Sequence, residues 1–311
     1  MSSCISVQGI EMHFRGCDAL QGIDLQVPAG SVFALLGENG AGKTTLIRIL
    51  TGFQKPTRGQ CLVCGIDPAQ DALELRRKVG YVSDQLALYD WMRVGEIGWF
   101  AAAFFDDAFA DRYRELIARY ELPESRKIRH LSKGQRAKVA LALAVSQDPE
   151  LLILDEPTSG LDPLVRREFL ESMVDRAATG RTVLLSSHQI SEVERVADSV
   201  AILRAGRVRL VDSLTELKES IAIVTLTLDD PLVTVPTLSS PAELLSEQNE
   251  GRQRRWMVRG WQTQHAHELE SRPGVLSIRT RAASLEELFI ACTRGIVEQH
   301  AESEPLVATV E

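Results

Sequence analysis

The chain alternates between two hydrophobic rhythms. Residues 23–27 alternate apolar and polar side chains, the period of a strand with one covered face. Residues 32–36 are apolar without interruption, as expected of a strand buried on both faces. Residues 151–154 and 182–185 repeat that signal. Residues 200–203 and 208–211 read as a hairpin around Arg204, Ala205, Gly206 and Arg207. Between about 86 and 148 the texture turns helical. Residues 107–119 are amphipathic, and Ala137, Ala140, Leu141, Ala144 and Val145 fall on one helix face. Ser132 with Gln135 forms a capping box at the start of that helix. Strand signals at 224–228, 254–258 and 276–281 precede a helix at 284–293, where Ser284 and Glu287 form a second capping box. Alternating strands and helices over the first 216 residues predict an α/β domain, with a helical subdomain at about 86–148. A small α+β domain is expected over 217–294 and a flexible tail over 295–311.

The chain has 311 residues, 44% hydrophobic and 25% charged, which suits a soluble protein of about two domains. Its net charge of −8 disfavours general nucleic-acid binding, which needs clustered Lys and Arg. No apolar run reaches the roughly 18 residues of a membrane helix. The N-terminus lacks the basic start and apolar run of a signal peptide. The five cysteines are odd in number and scattered, which favours free thiols in a reducing compartment. Cys61 and Cys64 have the spacing of half a metal site, but no second pair exists.

Chemistry enters at residues 37–44, Gly-Glu-Asn-Gly-Ala-Gly-Lys-Thr, between a buried strand and a helix expected over 44–51. This fits the phosphate-binding loop, in which glycines let backbone N–H groups turn inward around phosphate oxygens. The following helix adds its positive end. Lys43 is placed to reach the β/γ-phosphates and Thr44 to ligate Mg²⁺. The strand at 151–154 ends in Asp155 and Glu156: one carboxylate to support Mg²⁺, the next to orient or deprotonate a water. Residues 131–135, Leu-Ser-Lys-Gly-Gln, open a helix and offer a hydroxyl, free N–H groups and a dipole to a phosphate, although a capping box alone also explains them. Ser186-Ser187-His188 follows another buried strand.

In this order and spacing, the phosphate loop, LSKGQ, LILDEP, SGLD (159–162) and SSH resemble the ATPase subunit of an ATP-binding cassette (ABC) transporter. The resemblance covers residues 1 to about 215 and implies a P-loop ABC ATPase core with a mixed sheet and an inserted helical subdomain. By that resemblance Gly37, Asn39, Gly40, Ala41, Gly42, Lys43, Thr44 and Thr45 bind ATP phosphates and Mg²⁺. Asp155 supports the metal, Glu156 is the general base, and His188 contacts the γ-phosphate. Phe14 matches the aromatic that stacks on adenine, with edge-strand packing as the alternative. Ser132, Gly134 and Gln135 would serve the ATP of a second ABC ATPase subunit, so that two chains enclose two ATPs, and Asp162 would link the two sites.

Two departures stand out. Lys133 replaces the first glycine of the usual LSGGQ. The loop that senses the γ-phosphate reads Tyr81-Val82-Ser83-Asp84-Gln85, so either Asp84 or Gln85 takes the usual glutamine's metal- or water-binding place. With no membrane span of its own, such a subunit implies an integral-membrane permease on a separate chain. It would sit in the cytoplasm, peripheral on the inner face of the cell membrane. Leu88, Tyr89, Trp91, Met92 and Val94 occupy the stretch that would face the permease, or else the core of the helical subdomain. The layout resembles ATPases of exporter-type (ABC-2-like) permeases. The alternative, a soluble ABC ATPase of DNA repair or translation, is disfavoured by the single cassette, the acidic balance and the absence of sustained heptads between Lys43 and Ser132.

Overall fold

The computed structural model describes residues 3–159, 161–233 and 238–293. The chain divides into two compact units, Met1–Leu214 and Thr215–Glu311; the tail expected over 295–311 lies outside the described residues. The first unit opens with β1 (Ser3–Phe14) and β2 (Cys17–Pro28), an antiparallel hairpin that turns at Gly16 with φ +80° and leaves Phe14 at its tip. Next come β3 (Val32–Gly37), α1 (Lys43–Leu50), β4 (Arg58–Val63), α2 (Ala72–Lys78) and β5 (Val79–Val82). Every residue of β3 is buried, as its unbroken apolar run requires.

The helical subdomain holds α3 (Val94–Ala102), α4 (Phe109–Arg119) and α5 (Lys133–Ser146). Then follow β6 (Leu151–Asp155), α6 (Pro163–Ala178), β7 (Thr182–Ser187), α7 (Ile190–Val196), β8 (Ser199–Arg204) and β9 (Arg207–Ser213). Six strands form a mixed sheet in the order β5-β6-β7-β3-β8-β9. All neighbours in it are parallel except the β8–β9 hairpin. A three-stranded antiparallel sheet, β2-β1-β4, packs into the same core. The parallel order matters for chemistry, because the C-terminal ends of β3, β6 and β7 lie side by side and carry the phosphate loop, Glu156 and His188.

Met92 and Val94 are core of the helical subdomain, packed with Ile97, Tyr113 and Ile128, and so are not available to a permease. Tyr89 and Trp91, from the same stretch, are exposed. The difference is local: residues 92 and 94 face inward where the chain pairs with the segment at 126–128, through Val94 N–H to Arg126 O and Ile128 N–H to Met92 O. Cys61 is buried in β4, whereas Cys64 lies past the strand with φ +50° and its Sγ 3.7 Å from that of Cys4.

The second unit contains α8 (Leu214–Ser220) at its boundary, β10 (Ile221–Leu228), β11 (Glu243–Glu250), β12 (Gln253–Arg259), α9 (Thr263–Glu270), β13 (Val275–Ala282) and α10 (Leu285–Thr293). Its antiparallel sheet runs β11-β12-β10-β13. Val224, Leu226 and Leu228 on one face of β10 pack with Trp256, Val258 and Leu269.

Candidate functional site

The phosphate loop leaves β3 at Gly37 and enters α1 at Lys43. Two glycines are dictated by space. A Cβ on Gly37 would sit 2.6 Å from Leu203 O. Gly42 has φ +110°, and a Cβ there would sit 2.7 Å from Ala19 O. The loop is therefore pressed against β2 and the β8–β9 hairpin, whose Gly206 N–H donates to Ala41 O at 3.0 Å.

Lys43 is 6% exposed. Its Nζ donates to Gly37 O at 2.7 Å and to Glu38 O at 3.3 Å. It also lies 3.2 Å from Glu156 Oε1, an ion-pair distance without hydrogen-bond alignment. The other Glu156 oxygen, Oε2, is 2.8 Å from His188 Nδ1. Glu156 itself holds φ +48°, a left-handed conformation that a non-glycine residue adopts at a cost of about 1 kcal/mol. Its backbone N–H is anchored by Ser186 Oγ at 3.0 Å, and the same hydroxyl donates to Asp155 Oδ1 at 2.6 Å. Strand ends β6 and β7 thus aim Asp155, Glu156 and His188 at the mouth of the loop.

A cavity of about 570 Å³ opens there, within the range of small-molecule sites. Phe14, Asn39, Gly40, Gly42, Lys43, Thr44, Thr45, Asp84 and Glu156 line it. Sequence reasoning missed Asp18, Gln21, Ala205 and Gly206, which complete the wall near Phe14. They arrive by strand pairing and carry no motif of their own.

Other expected residues lie elsewhere. Gly37 and Ala41 do not line the cavity: the first is buried at the end of β3, and the second turns its methyl into the core. His188 reaches the site only through Glu156. Asp155, Gln85, Thr44 and Asp84 line an adjoining groove of about 740 Å³, with Phe53, Tyr81, Leu88 and Phe105. Asp84 and Thr44 border both spaces, Gln85 only the groove. Burial pushes the Tyr81 phenol up to about 12, so it presents a neutral hydroxyl.

Ser132, Gly134 and Gln135 are absent from the cavity wall. They form the start of α5, where Gln135 N–H donates to Ser132 Oγ at 3.2 Å and Ser132 N–H donates to Gln135 Oε1 at 3.1 Å. Asp162 caps α6, accepting from Leu164 and Val165 N–H groups at 3.2 and 3.1 Å.

The site suits a nucleotide triphosphate. A glycine-bearing loop, a buried cation and a helix start border one space with an exposed aromatic at its edge. The donor set Thr44, Asp84, Asp155 is all oxygen, as Mg²⁺ prefers.

Residues 20–159 match the ABC transporter family. An ABC transporter ATP-binding protein of Nostoc is 40% identical over 64% of this chain and 61% of its own length. The daunorubicin resistance ATP-binding protein of Streptomyces coeruleorubidus is 35% identical over 70% of each chain. The Nod factor export ATP-binding protein of Cupriavidus metallidurans is 34% identical over 67% of this chain and 70% of its own. Among solved structures, an ATP-binding subunit of an ABC transporter superposes with a TM-score of 0.65 at 32% identity, covering 70% of this chain and 92% of that one. Fold, site and these likenesses agree: the chain belongs to the ABC transporter family, among its ATP-binding proteins.

Proposed function

We propose that this chain is the ATP-hydrolysing subunit of an ABC transporter, pairing with a second cassette around two ATPs and driving a separate membrane permease of the exporter type. The observation that carries the reading is the convergence of Lys43 and His188 on the two oxygens of Glu156, at the rim of the cavity that Phe14 and Thr44 border. Glu156 stands opposite Lys43 as a counter-charge. A triphosphate offers Lys43 a denser negative charge, so the Nζ turns to the β/γ-phosphates and Glu156 is released to accept the proton of the attacking water. His188, held by Glu156, then lies where it can contact the γ-phosphate. Thr44 and Asp155, with Asp84, would hold Mg²⁺, which supplies positive charge to the phosphates.

The dimer reading is supported by the placement of the signature residues. The signature residues Ser132, Gly134 and Gln135 lie outside its wall, on a capped helix start able to meet a phosphate from another chain. Exporter function is supported by the likeness to the daunorubicin resistance and Nod factor export proteins. The groove lined by Phe53, Gln85, Leu88 and Phe105 is our candidate for the permease helix, because it sets aromatic and aliphatic side chains beside polar ones and is continuous with the metal-side residues. No described helix is long and apolar enough to cross a membrane. The likeness to ATP-binding subunits of transporters supports assigning the pathway to the permease and the ATPase to the cytoplasmic side. Phosphate release should fall at least about 100-fold in Glu156→Gln. Tagged Glu156→Gln, loaded with Mg-ATP in gently solubilised membranes, should co-purify a multi-span protein. Unchanged phosphate release would remove Glu156 as base; purely soluble DNA-repair or ribosomal partners would reject the transporter.

A further inference from the structure

A second, buried network joins the loops that carry Glu156 and His188. Glu192, on α7, is 5% exposed, a rare position for a carboxylate without partners. Its Oε2 accepts a hydrogen bond from Thr158 Oγ1 at 2.6 Å, and Thr158 is itself buried. Its Oε1 lies 3.0 Å from Arg166 Nε on α6, an ion-pair distance without hydrogen-bond alignment. Arg166 reaches two further groups: Nη1 donates to Gln189 Oε1 at 2.9 Å, and Nη2 to Leu161 O at 3.1 Å. Thr158 follows Glu156 by two residues, Leu161 precedes Asp162, and Gln189 follows His188. None of these groups lines the nucleotide cavity.

A buried ion pair is a weak source of stability, because desolvation offsets most of the attraction. What it supplies here is direction. The planar guanidinium fixes Gln189 and Leu161 through two donors of one rigid fork, and its charge holds the Glu192 carboxylate beside them, so the three groups keep their mutual placement. We propose that Glu192, with Arg166, is a positioning residue that locks the turn after Glu156 to the segment after His188. The carboxylate, the imidazole and the Asp162 loop then move as one body. This rests on Glu156 and His188 acting as proposed above. Loosening the lock lets His188 drift from Glu156 while the cavity wall stays intact, so turnover falls and nucleotide binding does not.

The test is steady-state ATP hydrolysis by the full chain carrying Glu192→Gln, Thr158→Val or both, with fluorescent-ATP binding and melting temperature alongside. Glu192→Gln keeps the size and an acceptor for Thr158 but turns off the ion pair. Thr158→Val removes only the hydroxyl link at nearly constant volume, and it decides the matter if Glu192→Gln folds poorly. Each single variant should lower kcat about tenfold or more, as misplacement of reacting groups does, with KM for ATP within about twofold. The pair should be no worse than the more severe single, because the two changes break successive contacts of one chain, Thr158–Glu192–Arg166. Thr158→Ser, which restores the hydroxyl, should restore kcat. A kcat within about twofold of the parent in Thr158→Val, or a loss of kcat matched by a rise in KM, would overturn the proposal. Glu156→Gln measured in parallel separates the two claims. Full turnover there defeats the assignment of the base; no turnover there, with Thr158→Val unaffected, defeats the positioning role alone.

Discussion

Lys43 and Glu156 lie at ion-pair distance, 3.2 Å apart. In Glu156→Gln the competing carboxylate is gone, so Lys43 is freer to meet phosphate. Titration with Mg-ATP should therefore show affinity equal to or tighter than the parent while hydrolysis is lost. Weaker binding would mean that Glu156 supports the phosphate loop rather than the water. Gly42→Ala gives the opposite pattern. Its added Cβ meets Ala19 O at 2.7 Å on a backbone with φ +110°, so the loop must shift. Strain of about 1–3 kcal/mol is expected there, read as a loss of nucleotide affinity in the same titration. At this scale much was legible in the sequence. Lys43, Thr44, Asp155, Glu156 and His188 each follow a buried apolar strand, and a parallel sheet brings such ends together. Asp18, Ala205 and Gly206 were not legible, because only long-range pairing brings the β1–β2 and β8–β9 hairpins to the loop.

Helices that open on a reciprocal Ser-x-x-Gln or Ser-x-x-Glu box are legible in the sequence; α2 and α6, capped by Asp71 and Asp162 alone, and polar edges are not. The starts of α5 and α10 were read from Ser132 with Gln135 and from Ser284 with Glu287, and both reciprocal caps form. Strand β11 carries no sequence signal because only Leu245 of it is buried, and α9 none because it buries only His265 and Leu269. Neither segment shows a period for the eye to catch. The α10 cap carries a pH signature. Arg281 donates to both Glu287 oxygens, through Nη1 at 2.7 Å to Oε2 and through Nη2 to Oε1, and holds the carboxyl down at about 2, below its ordinary 4.5. A depressed carboxylate favours the folded state when ionised. Its contribution is complete above pH 4.5 and fades as pH falls toward 2. Glu287→Gln should thus lower the melting temperature at neutral pH, by a loss on the order of 1 kcal/mol after solvent screening, and have no effect near pH 2. An equal loss at both pH values would show that packing, not charge, is responsible.

The first unit is a cassette whose cavity is bordered by the base and the phosphate loop, while its signature helix start has no part in the cavity wall. Two copies related head to tail would supply each ATP with both halves. The acidic chain, at net −8, adds repulsion that nucleotide and Mg²⁺ must overcome, so association should depend on ATP rather than precede it. The most direct measurement is the molar mass of Glu156→Gln by light scattering on a sizing column, with and without Mg-ATP. The account predicts a single chain without nucleotide and twice that mass with Mg-ATP, reverting to the single chain when Ser132→Arg is added to the same variant. A mass that stays at one chain under saturating Mg-ATP would contradict the shared site.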